Sequence, residues 1–345
     1  MQATQEQPAN TLAVRSLRTP RQMKADLPLS ANLKVQIEQQ RQQIRDILQG
    51  KDQRLLIVTG PCSIHDEKAA MDYGQRLAKL NEQLSDKLLI VMRSYVEKPR
   101  TTVGWKGLAY DPDRNGTGDM AKGIQLSRRI MLALAELGLP LASEALNPLV
   151  MNYLDDLISW TAIGARTSES QTHREMVSHL PMPVGIKNST DGSASNAINA
   201  MIAASHSHHT LGVDVDGNLA MLDTPGNADT HLVLRGGHGL TNYDAESISA
   251  ALDELQKNNC HVKVMVDCSH ANACKQHERQ IPIAKEVIAQ RAAGNQGVLG
   301  LMIESNIAAG RQNDGDSLTY GQSITDACIG WGETESLLVE LYAML

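Results

Sequence analysis

Short apolar runs alternate along the chain with longer stretches in which apolar residues return every three or four positions. The runs are "LLIVTG" at 55–60, "LLIVMR" at 88–93, "PLASEA" at 140–145, "TAIGAR" at 161–166, "PVGIK" at 183–187, "HLVLRG" at 231–236, "VKVMVD" at 262–267 and "VLGLMIE" at 298–304. Between them, Ala70, Tyr73, Leu77, Leu80 and Leu84 keep helical spacing, as do Met120, Ile124, Met131, Leu134 and Leu137 ahead of a helix-stopping Gly138. Eight strands with intervening helices predict an α/β chain closed into a (β/α)8 barrel, the TIM-barrel class, over residues 53–345. An open doubly wound sheet is the alternative, but no run leads into a G-x-G-x-x-G turn.

Two segments fall outside that repeat. Residues 1–52, rich in Gln, Arg and Pro, read as an N-terminal extension suited to subunit or regulatory contact, with one amphipathic helix carried by Leu33, Ile37, Ile44, Ile47 and Leu48. "LGVDVDGNLAMLDT" predicts a β-hairpin turning at Asp216-Gly217, an insertion over about residues 209–226 between the fifth helix and the sixth strand. Its D-x-D-G-N string resembles a calcium loop, yet the twelfth position falls at Pro225 and offers no carboxylate.

Composition narrows the function. A net charge of -7 argues against nucleic acid or an anionic membrane as partner, so any basic cluster should have a local ligand. The five cysteines are odd in number and scattered, and the N-terminus lacks the apolar core of a secretory signal, which implies a reduced, cytoplasmic setting. Phenylalanine is absent and aromatics total 3%, leaving Leu, Ile, Met and Ala to fill the core.

In a parallel barrel the C-terminal ends of all strands emerge on one rim, where barrel enzymes place their chemistry. Arg93, Lys98, Arg100, Arg166, Lys187 and Arg235 all stand at or just beyond such ends. Six cations converging there imply a multiply anionic ligand, with guanidinium forks matched to phosphate and carboxylate oxygens. The competing reading is a network of internal ion pairs with Glu97, Glu144 and Glu169. Cys62, His270, Glu304 and Asp326 form a second group, a mixed donor set suited to one divalent ion such as Mn, Fe, Co or Zn. Spacing alone leaves that open: Cys62 serves equally as a buried small hydrophobe and His270 as a satisfied loop histidine. "HSHH" at 206–209 reads as solvated, and Cys268 and Cys274 lack the C-x-x-C spacing of a dithiol centre.

"GPCSIHD", "EKPRTTVGWKG", "GARTSESQTHRE", "PVGIKNSTDG", "LRGG", "VDCSHAN", "MIESN" and "YGQSITDACIGW" together resemble the type I 3-deoxy-D-arabino-heptulosonate 7-phosphate (DAHP) synthases, from about residue 15 to the C-terminus. The resemblance implies a metal-dependent condensation of phosphoenolpyruvate with erythrose 4-phosphate at the head of the shikimate pathway, in a homodimer or homotetramer. It implies Cys62, His270, Glu304 and Asp326 as metal ligands and Arg93, Glu144, Arg166, Lys187 and Arg235 as phosphoenolpyruvate contacts. Lys98 would stand at the reacting centre with His173 as a helper or orienting group, and Arg100 and Thr101 would hold the sugar phosphate. An aromatic amino acid effector is also implied, in a pocket near 147–153, 179–182 and the hairpin. There Asn147, Met151 and Pro181 depart from the aspartate, proline and serine expected, so inhibition is expected to be weakened or its effector changed. Val96 and Ile186 stand where the family usually has aromatics, and His238 where lysine is frequent. An octulosonate 8-phosphate synthase, which takes arabinose 5-phosphate, and a catalytically silent aromatic-amino-acid sensor are the rival readings.

Overall fold

A computed structural model describes residues 11–315 and 317–345; the first ten residues of the predicted extension lie outside them. The eight apolar runs become eight parallel strands in one closed barrel: β1 (Leu55–Gly60), β2 (Leu88–Arg93), β3 (Leu141–Glu144), β4 (Trp160–Ile163) and β5 (Val184–Lys187) come first. The antiparallel pair β6 (His208–Val213) and β7 (Leu219–Thr224) intervenes, and β8 (Thr230–Leu234), β9 (Val264–Asp267) and β10 (Val298–Glu304) complete the ring. Barrel neighbours follow chain order, and β10 closes on β1 with Gly60 level with Glu304. Helices α1 (Pro20–Asp26) and α2 (Ala31–Leu48) precede the barrel. Around it run α3 (Glu67–Leu84), α4 (Met120–Glu136), α5 (Pro148–Met151), α6 (Gln171–Val177), α7 (Ser195–Ala204), α8 (Ala245–Lys257), α9 (Gln280–Ala292) and α10 (Trp331–Met344).

Alternation along each strand sorts the core into two shells. Leu55, Ile57, Leu88, Ile90, Val264 and Val266 face the helices, whereas Leu56, Val58, Leu89, Val91 and Met265 fill the barrel. In β10 the register shifts between Val298 and Gly300, which is why both Leu299 and Met302 turn inward. Trp160 is the large ring inside; its Nε1 donates to His231 Nε2 at 3.0 Å. Burial pushes the His231 imidazole down to about 4, so it is a neutral acceptor at working pH. Gly185 makes room for the indole, since a Cβ there would sit 2.3 Å from Trp160.

Helix α2 begins at Ser30, whose side chain accepts from Leu33 N, and its apolar face does more than dock an arm. Its last turn buries Ile44, Ile47 and Leu48 among the interior residues Leu56, Val58, Trp160 and Leu299, closing the floor of the barrel. Buried Arg41 fastens it there, with Nη2 donating to Asp155 O at 2.7 Å and to Ile158 O at 2.9 Å. In the hairpin, Asp214 Oδ1 accepts from the backbone N–H of Asp216 and Asn218, so its carboxylate is engaged in the turn at Gly217, whose φ is +79°. Among the described residues no helix is long and apolar enough to cross a membrane.

Leu48→Ala, which hollows the barrel floor, is expected to cost about 2–5 kcal/mol, read as a lower denaturation midpoint. Val35→Ala, on the exposed face of the same helix, is expected to change stability by less than about 0.5 kcal/mol. Equal losses from the two would mean that α2 does not close the floor.

Candidate active site

The strands deliver their last residues to one mouth. Arg93 ends β2, Glu144 ends β3, Lys187 ends β5, Asp267 ends β9 and Glu304 ends β10; Arg235 follows β8 directly. Gly60, at the end of β1, passes so close to Arg93 that a Cβ would meet its backbone N at 3.1 Å, and the chain then turns to place Cys62. After β10 the chain loops out and returns beside Ser305, with Ile329 N donating to Glu304 O at 3.0 Å and Asn306 N to Ile329 O at 2.9 Å. That return brings Asp326 over Cys62, 3.6 Å from Sγ to Oδ2.

Cys62, Glu304 and Asp326 present donor atoms within 4.8 Å of one another. His270 lies in the turn after β9 with φ +53°, a left-handed conformation uncommon outside glycine. Its Nδ1 sits 2.8 Å from Asp267 Oδ2, at ion-pair distance but off the line of a hydrogen bond. That contact leaves Nε2 free, but His270 is not in the group whose donor atoms lie within 4.8 Å of one another: of the four ligands expected from the sequence, the structure brings together Cys62, Glu304 and Asp326. Burial and then Glu304 push the Cys62 thiol up to about 12. A cation among these side chains would supply the positive charge that a buried thiolate lacks, so the donor set fits a thiophilic divalent ion.

Two of the mouth cations are neutralised by carboxylates the sequence had not paired with them. Arg93 Nη2 donates to Glu304 Oε1 at 3.1 Å and Lys187 Nζ to Asp267 Oδ2 at 2.8 Å, both pairs almost wholly buried. Arg93 also lies over the Tyr95 ring, 3.9 Å from its centroid, while its Nη1 is buried without a partner. Lys98 Nζ is 3.1 Å from Cys62 Sγ and 3.2 Å from Cys62 O. Burial alone would lower its pKa, but Cys62, Glu304 and Asp326 hold it above the ordinary value, so it keeps its proton. Among the described residues Arg100, Arg166 and Arg235 form no ion pair, and Glu97, Glu144 and Glu169 pair with none of the six cations; Glu169 instead accepts from Asn196. The internal network weighed from sequence therefore does not balance the rim.

Beyond Lys98 the loop forms a cleft of about 240 Å³ lined by Lys98, Pro99, Arg100, Thr102, Lys106, Tyr110 and Leu146. Thr102 lines it, whereas the neighbouring Thr101 is exposed outside that lining. Lys106 is a third cation that the sequence reading passed over; its only signal was its place in "GWKG". His173 has both ring nitrogens engaged, Nδ1 with Ser170 Oγ and Nε2 with Leu146 O, each at 2.8 Å. Such bonding orients the 146 loop and leaves no free nitrogen for proton transfer. Near the expected effector region, Asn147 caps α5 by accepting from Leu149 N at 2.9 Å, Met151 is buried, and Pro181 O accepts from Arg45 at 2.6 Å. In "HSHH", His206 and His208 each bond a backbone carbonyl and His209 pairs with Asp223, so the three do not converge.

Comparison with known proteins agrees with this geometry. Residues 32–339 match the family described as "DAHP synthetase I family". A Tyr-sensitive phospho-2-dehydro-3-deoxyheptonate aldolase of Escherichia coli (strain K12) is 50% identical over 329 residues, covering 94% of this chain and 92% of that one. A phenylalanine-inhibited one of Saccharomyces cerevisiae is 48% identical, covering 93% and 89%. The solved structure of the phospho-2-dehydro-3-deoxyheptonate aldolase of Francisella tularensis SCHU S4 superposes with a TM-score of 0.95 at 39% identity, over 97% of this chain and 98% of that one. Sequence match, architecture and mouth agree: this chain belongs to the DAHP synthetase I family.

Proposed function

We propose that the protein joins phosphoenolpyruvate to D-erythrose 4-phosphate and water, giving DAHP and phosphate, the first step toward chorismate and the aromatic amino acids. The observation that carries this reading is the union, at one barrel mouth, of a thiol–carboxylate group suited to a metal with arginines that no carboxylate among the described residues pairs with.

Phosphoenolpyruvate brings a carboxylate and a phosphate, and Arg93, Arg166, Lys187 and Arg235 would neutralise them, with Glu144 at the same rim. The unpartnered Nη1 of Arg93 is a buried donor awaiting an acceptor. The second cleft, with Arg100 and Lys106 at its wall, would take the sugar phosphate, Thr101 or Thr102 adding a hydroxyl. Lys98 belongs to both regions, beside Cys62 and inside the cleft. C3 of the enol phosphate attacks the aldehyde carbon of erythrose 4-phosphate, and Lys98, kept protonated by its acidic neighbours, is placed to donate a proton to the oxygen where negative charge develops. Water then adds at C2 and phosphate leaves. Cys62, His270, Glu304 and Asp326 would hold one divalent ion, Mn, Fe, Co or Zn, and the chemistry supplied there when it is bound is Lewis-acid polarisation of the aldehyde oxygen.

The names of the relatives support an aromatic amino acid as effector. A homodimer or homotetramer in the cytoplasm belongs to the same proposal: the free cysteines suit a reducing compartment, and the exposed Leu211, Leu219 and Met221 of the hairpin give a second subunit apolar area to bury.

Phosphate release from phosphoenolpyruvate is expected to require erythrose 4-phosphate, to stop on chelation and to return with Mn; faster turnover of arabinose 5-phosphate, or no release with any divalent ion, would overturn the reading. Removing a charge-assisted bond costs about 1.5–3 kcal/mol. Arg100→Ala is therefore expected to raise KM for erythrose 4-phosphate about ten- to a hundred-fold, and Arg166→Ala to do the same for phosphoenolpyruvate; a reversed pattern would exchange the two subsites. Titration with tyrosine, phenylalanine and tryptophan is expected to give weak inhibition, because Asn147, Met151 and Pro181 alter the effector region, and strong inhibition by any one would contradict that.

A further inference from the structure

Glu97 is buried at the mouth and has no part in the roles assigned above. It stands where the segment after β2 doubles back on itself, Lys98 N donating to Lys106 O at 2.9 Å and Ala109 N to Val96 O at 3.1 Å. Its Oε2 receives only a long contact, 3.5 Å, from the backbone N–H of Asn147, and its Oε1 is buried with no hydrogen-bond partner. Asn147 in turn donates its side-chain N–H to the Tyr110 hydroxyl at 2.8 Å. Tyr110 and Leu146 line the cleft together with Arg100 and Lys106. Glu97 therefore lies directly behind the surface that meets the sugar phosphate.

The groups facing this carboxyl are the Asn147 N–H at the start of α5, the Tyr110 hydroxyl from the same loop and the carboxylate of Glu144 at the end of β3; among the described residues no cation pairs with it. Burial, aided by Glu144 and only partly opposed by the Asn147 N–H and the Tyr110 hydroxyl, lifts it to about 8. Glu144 offers it nothing but repulsion. A charged Glu97 would thus add a buried negative charge to that of half-buried Glu144, beside the cleft proposed to receive a phosphate.

We propose that Glu97 is a positioning residue that works in its neutral, protonated form, bracing through Asn147 the part of the cleft lined by Tyr110 and Leu146, and that its ionisation opposes binding of the anionic sugar phosphate. The proposal rests on the reading that this cleft takes erythrose 4-phosphate. Linkage is reciprocal: a bound phosphate strengthens the hold of Glu97 on its proton, and loss of that proton weakens the hold on phosphate by the same factor.

The test is KM for erythrose 4-phosphate and for phosphoenolpyruvate, measured from neutral to alkaline pH on the Mn-loaded wild type and on Glu97→Gln, which is always neutral. In the wild type, KM for the sugar phosphate should stay level below pH about 8 and then climb toward about tenfold per pH unit, with a smaller change for phosphoenolpyruvate. Glu97→Gln should stay level through the same range. A rise in Glu97→Gln that matches the wild type overturns the proposal, whereas a wild type that fails to use erythrose 4-phosphate at neutral pH overturns the functional reading beneath it. Infrared spectra of wild-type protein labelled with 13C-glutamate decide the protonation without any variant: a carboxylic-acid band should persist at neutral pH and vanish above pH about 8, and its absence at neutral pH refutes the proposal even if Glu97→Gln does not fold.

Discussion

Holding a buried thiol, Cys62, and a buried carboxylate, Glu304, within 4.8 Å of a second, exposed carboxylate, Asp326, is the constraint on which this mouth depends. Left alone, such a group would be protonated or would expel its members toward water. Lys98, beside Cys62 and acting on Glu304 and Asp326, and Arg93 against Glu304 supply the countercharge to the carboxylates, and each of those cations is itself tolerable in the interior only because the acids are there. Lys187 and Asp267 repeat the device between β5 and β9, the latter next to β10, with His270 leaning on the same carboxylate. The barrel is what makes this possible, since closing β10 on β1 sets Gly60 level with Glu304 and lets one short turn carry Cys62 over the opening.

Charge is then distributed unevenly, in a way that suits the proposed function. The inner cations, Arg93, Lys98 and Lys187, are bonded to groups of the protein and are fixed in place before any ligand arrives. Arg100, Arg166 and Arg235 stand further out and keep their charge available. Preorganised inner cations would cost little reorganisation during reaction, while outer ones would attract anionic substrates to the mouth. The proposed role of Glu97 extends the same principle, an acid whose burial raises its pKa where a negative charge would work against the rest.

Much of this was legible in the chain because strands buried on both faces leave continuous apolar runs, and those of β1, β2 and β10 coincide with the strands residue for residue. The shorter β3 lies one residue inside its run at each end and β9 begins two residues late, because apolar residues also line the loops that enter and leave the ladder, whereas β4 starts one residue before its run and stops three short of its end. The role of α2 was hidden: an amphipathic face reads the same whether it packs on a barrel wall or stops its floor, and only the burial of Ile44, Ile47 and Leu48 among interior residues decides it. Helix α1, seven residues held by a capping box at Thr19, is too short for periodicity to register. At the site, strand ends gave the membership of the rim but not its pairings. Lys187 and Asp267 are 80 residues apart, so the ion pair that joins them has no local signature. The bonding of both His173 nitrogens is likewise a tertiary fact.

The central claim is that sulfur from Cys62 and nitrogen or oxygen from His270, Glu304 and Asp326 share one divalent ion. X-ray absorption of the zinc-loaded protein tests it most directly. The account predicts a single sulfur scatterer at about 2.3 Å with nitrogen and oxygen neighbours near 2.0–2.2 Å, and loss of the sulfur shell in Cys62→Ser. A shell of oxygen and nitrogen alone in the wild type, or a sulfur signal that survives the substitution, would contradict it.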